Sequence, residues 1–227
     1  HLRSETKATV NEGPVRILVD LDASQKDPPL TAEVEAKDVR LDIEMPKSVR
    51  YFLPVLAGGK GITGKLSLEP LKVEGRGAGW DALRGNIHTV QDGKVHVSSG
   101  EVQGAPFLAK LGELLHKPGL ADLKFDTIDV VFRIREQRLE SETTVKGRQG
   151  QILSHGWVDF DQRLEQKTTL SGDFLKTGDA KWDKGLEIAM ERGGVLTDGT
   201  ISDPHTHLDM NTILQELAKE LLKEQLK

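Results

Sequence analysis

The chain contains no cysteine. That excludes disulfides, thiolate metal sites and thiol catalysis, and leaves the compartment open, because secreted bacterial proteins often lack cysteine. Aromatic residues are only 4% of the total, so any large apolar face must be lined mainly by aliphatic side chains. Charge is plentiful at 30% but balanced, with 31 Lys and Arg against 36 Asp and Glu and a net charge of -5. No broad cationic field exists to hold a phosphate backbone, and nucleic acid is not an expected partner. Long apolar runs are missing too. The longest, from Tyr51 to Ala57, is interrupted by Pro54 and falls far short of the roughly 20 residues of a membrane-spanning helix. The sequence opens His1-Leu2-Arg3 without an initiator Met, as expected of a processed protein or an excised fragment.

What is present is a folded chain. Its 227 residues, 37% of them hydrophobic, suffice for one long domain or two small ones with a sizeable core. Most of the sequence alternates with period two, the mark of strands with one face to a core and one to water. Val15, Ile17, Val19 and Leu21 alternate, as do Ala32, Val34 and Ala36, with a one-residue slip before Leu41 and Ile43 that reads as a bulge or turn. The pattern returns at Leu66 and Leu68, 83–87, Val95 and Val97, Leu123 and Phe125, 130–134, 139–145, Val158 and Phe160, 164–170 and 186–190. Polar turns at Gln91-Asp92-Gly93, Glu136-Gln137, Asp161-Gln162 and Asp198-Gly199 join these segments into an expected antiparallel meander, with hairpins over 86–97, 131–143 and 157–168.

Three segments follow the helical period instead. In 105–116, Pro106 sits at the start, Phe107, Leu108, Leu111, Leu114 and Leu115 recur at helical spacing, and Lys117-Pro118-Gly119 ends the run. The segment 45–57 repeats this arrangement from Pro46 to Gly58-Gly59. In 211–227, Ile213, Leu214, Leu217, Leu221 and Leu222 form an apolar stripe against a face of Glu and Lys. This last helix is expected to dock on an end of the sheet through Leu214, Leu217 and Leu221.

Chemical motifs are weak. Gly59-Lys60-Gly61-Ile62-Thr63-Gly64-Lys65 has P-loop spacing, but Leu66 stands where a magnesium-binding hydroxyl is required and the next residues alternate like a strand. His205 and His207 beside Asp203 and Asp209, or His88 with His96, are conceivable metal ligands; a turn at Asp203-Pro204 and surface strand positions explain them as well. Ser154 and His155 are adjacent, so on a strand their side chains point to opposite faces. No cofactor, metal or catalytic residue is expected, and the protein reads as non-enzymatic.

The motifs Ala82-Leu83-Arg84-Gly85-Asn86-Ile87, Gln91-Asp92-Gly93-Lys94-Val95, Gly104-Ala105-Pro106-Phe107-Leu108-Ala109-Lys110-Leu111-Gly112 and Phe125-Asp126-Thr127-Ile128 resemble the C-terminal region of the AsmA family of bacterial envelope proteins. So do Gly156-Trp157-Val158-Asp159-Phe160 and Thr197-Asp198-Gly199-Thr200-Ile201-Ser202-Asp203-Pro204 ahead of an amphipathic helix. The resemblance implies a periplasmic protein of a diderm bacterium, anchored to the inner membrane by an N-terminal helix absent from this sequence. It also implies kinship with TamB-like bridge proteins, whose curved sheets carry phospholipid towards the outer membrane, and it offers no catalytic residues.

The expected fold is therefore mainly β: a long curved antiparallel meander forming an apolar trough or open sandwich. It divides into a sheet region with a short helix over 1–81, an AsmA-like region over 82–208 and a helix over 209–227. The expected partner is phospholipid or another acyl-chain lipid, with envelope proteins besides. Phasing nominates Ile87, Val95, Val97, Val130, Phe132, Ile134, Val145, Val158, Phe160 and Leu170 as the lipid-facing set. The same residues would equally make the dry core of an ordinary sandwich. A structural adaptor for outer-membrane protein assembly, acting through sheet edges or the last helix, is the alternative function.

Overall fold

The computed structural model describes residues 1–43, 60–114 and 117–209. Within them, one open sheet of twelve strands takes up most of the chain. The strands are β1 (Leu2–Val10), β2 (Gly13–Leu21), β3 (Pro29–Ile43), β4 (Gly61–Arg76), β5 (His88–Thr89), β6 (Gly93–Gln103), β7 (Leu123–Arg135), β8 (Arg138–Gly147), β9 (Gly150–Asp159), β10 (Arg163–Gly172), β11 (Val195–Thr200) and β12 (Pro204–Leu208). Each pairs antiparallel with its sequence neighbour, except that β6 skips the two-residue β5 to pair with β4. Three helices interrupt the described meander: α1 (Trp80–Asn86), α2 (Pro106–Leu114) and α3 (Ala180–Arg192). No described helix is long and apolar enough to cross a membrane.

Local chemistry explains the strands and their joints. In the second half of β7, Ile128, Val130 and Phe132 are buried while Asp129 and Arg133 point outward, so period two holds there after a one-residue phase change from buried Leu123 and Phe125. Asn11-Glu12 and Glu136-Gln137 both adopt positive φ at two successive residues, the twist that lets a two-residue turn close a hairpin. The phase slip read in β3 is a bulge: the register with β4 shifts between Ala36 and Val39, with Asp38 at φ 50°.

Register carries one apolar face, here the inner face, from strand to strand. Val15 lies beside Ala36, Ala36 beside Leu68, Leu68 beside Val95 and Val95 beside Val130. Over β6–β12 this face is filled. Leu108 of α2, Leu120, Phe174 and Leu175 of two short 3-10 turns, and Leu186 and Met190 of α3 join Val97, Ile128, Phe132, Val145, Ile152, Leu170 and Val195 in one buried cluster. Lys110 of α2 donates to the Pro204 carbonyl of β12 at 3.4 Å. A helix that leaves β6 thus reaches the far edge, which requires the intervening strands to curl around it.

Several sequence expectations change. Residues 83–87 and 186–190 belong to or adjoin helices α1 and α3 and form no strands; Leu186, Ala189 and Met190 are buried at i, i+3 and i+4, a helical stripe that a short window mimics. The expected 86–97 hairpin does not form, because β5 pairs with Val73 and Glu74 of β4. Asp198-Gly199 lies inside β11, and the reversal comes at Ile201, Ser202 and Asp203. The region over 1–81, expected as the N-terminal part of the sheet, joins the next through the pairing of β4 with β6. The helices expected over 45–57 and 211–227 fall outside the described residues.

If α2 is the plug of this core, Leu108→Ala should cost about 2–5 kcal/mol, the usual range for emptying a buried leucine site. Urea denaturation would report it, and a loss below about 1 kcal/mol would show that α2 does not pack as described.

Candidate functional site

The covered inner face of β6–β12 continues onto the N-terminal strands, where the described residues leave it uncovered. Four cross-strand rows build it: Leu2, Leu21 and Leu30; Ser4, Val19, Ala32 and Val73; Thr6, Ile17, Val34 and Leu71; Ala8, Val15, Ala36 and Leu68. None of these side chains is ionisable. Leu71 is buried where the face meets the core, whereas Val15, Val19, Leu21, Leu30, Ala32, Val34 and Ala36 are half-buried and Ile17 is 37% exposed. Leucine and valine so exposed in contiguous rows form a patch, and such patches mark binding sites more often than isolated surface apolar residues do. At one end the face is stopped by α1. A Cβ on Gly77 would lie 2.6 Å from Ala82 Cβ and 2.7 Å from the Leu83 backbone nitrogen, so glycine there lets α1 sit this close. Across the mouth, Trp80 lies 6.0 Å from Phe160 and Arg84 bonds Asp161 at 3.1 Å.

The outer face is the polar counterpart. Arg16 meets Glu5 at 2.9 Å, Lys72 meets Glu74 at 2.8 Å, and His96 meets Asp129 at 2.6 Å. The hydrogen bond from Arg16 holds the Glu5 carboxyl below its ordinary value, and that from Lys72 does the same for Glu74. Among the described residues, the resolved shifts all fall on such exposed pairs and turns.

The residues nominated from sequence lie mostly under cover. Val95, Val97, Val130, Phe132, Val145 and Leu170 belong to the filled cluster, and Ile134 packs against it. Val158 sits in a small second cluster with Leu164 and Ile201. Ile87 and Phe160 are half-buried, near the mouth that α1 spans. Strand phasing put Val95, Val97, Val130, Phe132, Val145, Val158 and Leu170 on the buried face; it could not show that α2 and α3, which follow β6 and β10 in the chain, fold back over that face. The open rows on β2 and β3 carry the same alternation, and only the absence of helical sequence around 15–36 distinguished them.

Sequence reasoning also missed a buried polar strip on the inner face of β8–β11. Ser141, Thr143, Ser154, Gln166, Thr168 and Thr197 are all buried. The Thr168 hydroxyl donates to Ser154 Oγ at 3.0 Å, and Ser154 donates to Gln166 Oε1 at 3.1 Å. Ser141 Oγ and Gln166 Nε2 find no partner among the described residues. They flank Gly156, which pairs with both positions. Such a pair offers a hydroxyl and an amide N–H to a water or a carbonyl oxygen. The signal was present in the sequence as polar residues at inward positions of otherwise apolar strands.

The remaining motifs separate in space. His205 faces Asp198 at 3.5 Å and Asp203 at 3.8 Å, while Asp209 lies 3.7 Å from Lys167. His88 is opposite Glu74 and His96 opposite Ser67, so they share no hairpin. No group of three or more His, Asp or Glu among the described residues is arranged around a metal position. Residues 61–65 run straight into β4, with no helix N-terminus at the glycines. Ser154 is buried and His155 exposed, on opposite faces. Comparison of the chain with protein-family models, curated proteins and solved structures found no match.

Ser141→Ala removes a buried hydroxyl that has no partner on the protein, so stability should stay level or rise by up to about 1 kcal/mol. A loss of more than about 1 kcal/mol in urea denaturation would show that the hydroxyl is paired in solution.

Proposed function

We propose that this protein is a non-enzymatic lipid-binding module of the bacterial envelope, holding acyl chains on the inner face of β2–β4. The observation that carries the reading is the aliphatic face formed by Val15, Ile17, Val19 and Leu21 with Leu30, Ala32, Val34 and Ala36, uncovered among the described residues and joined edge to edge with a filled core. Adjacent strands are about 4.8 Å apart, so two or three strands give room for one or two extended acyl chains lying along the rows. Each methylene taken from water contributes about 0.8 kcal/mol. A handful gives binding that is real and reversible, as a carrier requires. Aliphatic lining without charge suits chains of many lengths, since nothing on it reads a particular polar group.

The resemblance to AsmA-like envelope proteins points the same way, towards a periplasmic setting and phospholipid as cargo. It differs in place: the rows that offer open surface lie before the segments that carry the resemblance. The strip around Ser141 and Gln166 lies within the covered half and is no part of this proposal.

The test is fluorescent phospholipid binding with a thermal melt on the same samples. Ile17→Asp and Val34→Asp put a charge on the open face and should weaken binding at least about tenfold, which corresponds to about 1.4 kcal/mol, with the melt largely kept. Val130→Asp buries an unpaired carboxylate in the filled core and should unfold the protein. Unaltered lipid binding in Ile17→Asp and Val34→Asp, or no binding by the parent chain, would overturn the proposal.

A further inference from the structure

Strand β1 ends the sheet in a way that its opposite edge does not. All nine of its residues are exposed, Leu2 at 59% and Val10 at 44%. It pairs with β2 in unbroken register from Leu2 opposite Leu21 to Val10 opposite Gly13. Its other side has no strand among the described residues. Natural edges are protected by proline, bulges, shortness or charged side chains. At the other edge, β12 has five residues and begins with Pro204. β1 is nine residues long with neither proline nor bulge, and its outer-face charges, Arg3, Glu5 and Lys7, alternate in sign and so can complement those of a second antiparallel copy.

The hairpin fixes which groups face the open side. The two-residue turn at Asn11 and Glu12 closes on Val10 and Gly13 as a hydrogen-bonded pair. Val10, Ala8, Thr6, Ser4 and Leu2 therefore direct their N–H and C=O groups to β2. Thr9, Lys7, Glu5 and Arg3 direct theirs outward, as a template for one more antiparallel strand.

We propose that the occupant is β1 of a second copy of this chain, paired antiparallel about a two-fold axis through Thr6. This register overlaps the whole strand. It sets Glu5 against the partner's Lys7, Arg3 against the partner's Thr9 and Leu2 against the partner's Val10, with Thr6 facing the partner's Thr6 at a non-hydrogen-bonded position. Within one chain, Glu5 already lies 3.4 Å from Lys7 and 2.9 Å from Arg16, so pairing assembles a patch of alternating charge on the outer face. Sliding the partner by two residues in either direction instead sets Glu5 on Glu5 or Lys7 on Lys7, a like-charge pair at the axis. A two-fold axis normal to the sheet keeps both inner faces on one side, and the contact is isologous and closed. The proposal rests on the edge alone and stands whether or not lipid binds.

A chain without cysteine makes the register directly testable. Facing residues at a non-hydrogen-bonded antiparallel position have Cα atoms about 4.5 Å apart, within reach of a disulfide. On mild oxidation, Thr6→Cys should form a covalent dimer. Ser4→Cys and Ala8→Cys should each stay unlinked alone but cross-link when mixed. Lys7→Pro removes an outward N–H without touching the ladder to β2. It should turn a dimer seen by light scattering into a monomer with an unchanged melting temperature. A parent chain that is monomeric at every concentration tried would overturn the proposal, as would cross-linking of Ser4→Cys with itself in place of Thr6→Cys.

Discussion

A single sheet of twelve strands presents one long apolar face, and the rest of the structure follows from where the described helices and turns cover it. The available cover is concentrated on one half. α2 and α3, with the turns Pro118–Ala121 and Asp173–Leu175, all pack over β6–β12. Leu108, Phe174 and Met190 reach the centre of that face and are fully buried. The contact from Lys110 to the Pro204 carbonyl holds the curl that lets one short helix serve so many strands. Among the described residues, Ile62 and Leu71 of β4 join the buried cluster and Leu66, Leu68 and Val73 pack against it, while the inner rows of β1–β3 meet no cover beyond α1 at one end.

Burial is thereby unevenly distributed along one continuous face. On β6–β12, dry packing supplies stability and tolerates little change, since a close-packed interior feels even a methylene. On β2 and β3, the same alternation yields half-buried aliphatic surface that costs the fold less to alter. The bulge at Asp38 lies close to this border, and a bulge both bends a strand and strengthens its twist. The polar strip from Ser141 to Thr197 is the exception inside the dry half. Its three linked hydroxyl and amide groups are satisfied among themselves, while Ser141 Oγ and Gln166 Nε2 are left over beside Gly156.

Much of the fold was legible in the sequence, because period-two alternation is a property of one strand and needs no partner to be seen. The strands of 130–134, 139–145 and 164–170, the turns at Glu136-Gln137 and Asp161-Gln162, and the helix opened by Pro106 all appear close to where their residues suggested. The failures have a common cause. Leu186 to Met190 contains both a two-residue and a helical spacing of apolar residues, and β5 pairs with β4 through a contact that no local pattern encodes. β1 escaped notice because Ser4, Thr6 and Ala8 alternate in size more than in polarity. For the site, the direction of the strand side chains was readable and their cover was not: Val130 and Ile17 look alike in sequence, and no pattern within their own strands says whether a helix packs over them.

That division is the central claim, and thiol reactivity under native conditions tests it most directly, since any introduced cysteine is the only one. Ile17→Cys and Val97→Cys occupy the same face on opposite sides of the border. The account predicts that the thiol at 17 reacts with a maleimide at a rate near that of the unfolded chain and is slowed by phospholipid vesicles. The thiol at 97 should react only when the protein unfolds. Equal protection of both thiols without lipid would contradict it, and so would equal reactivity.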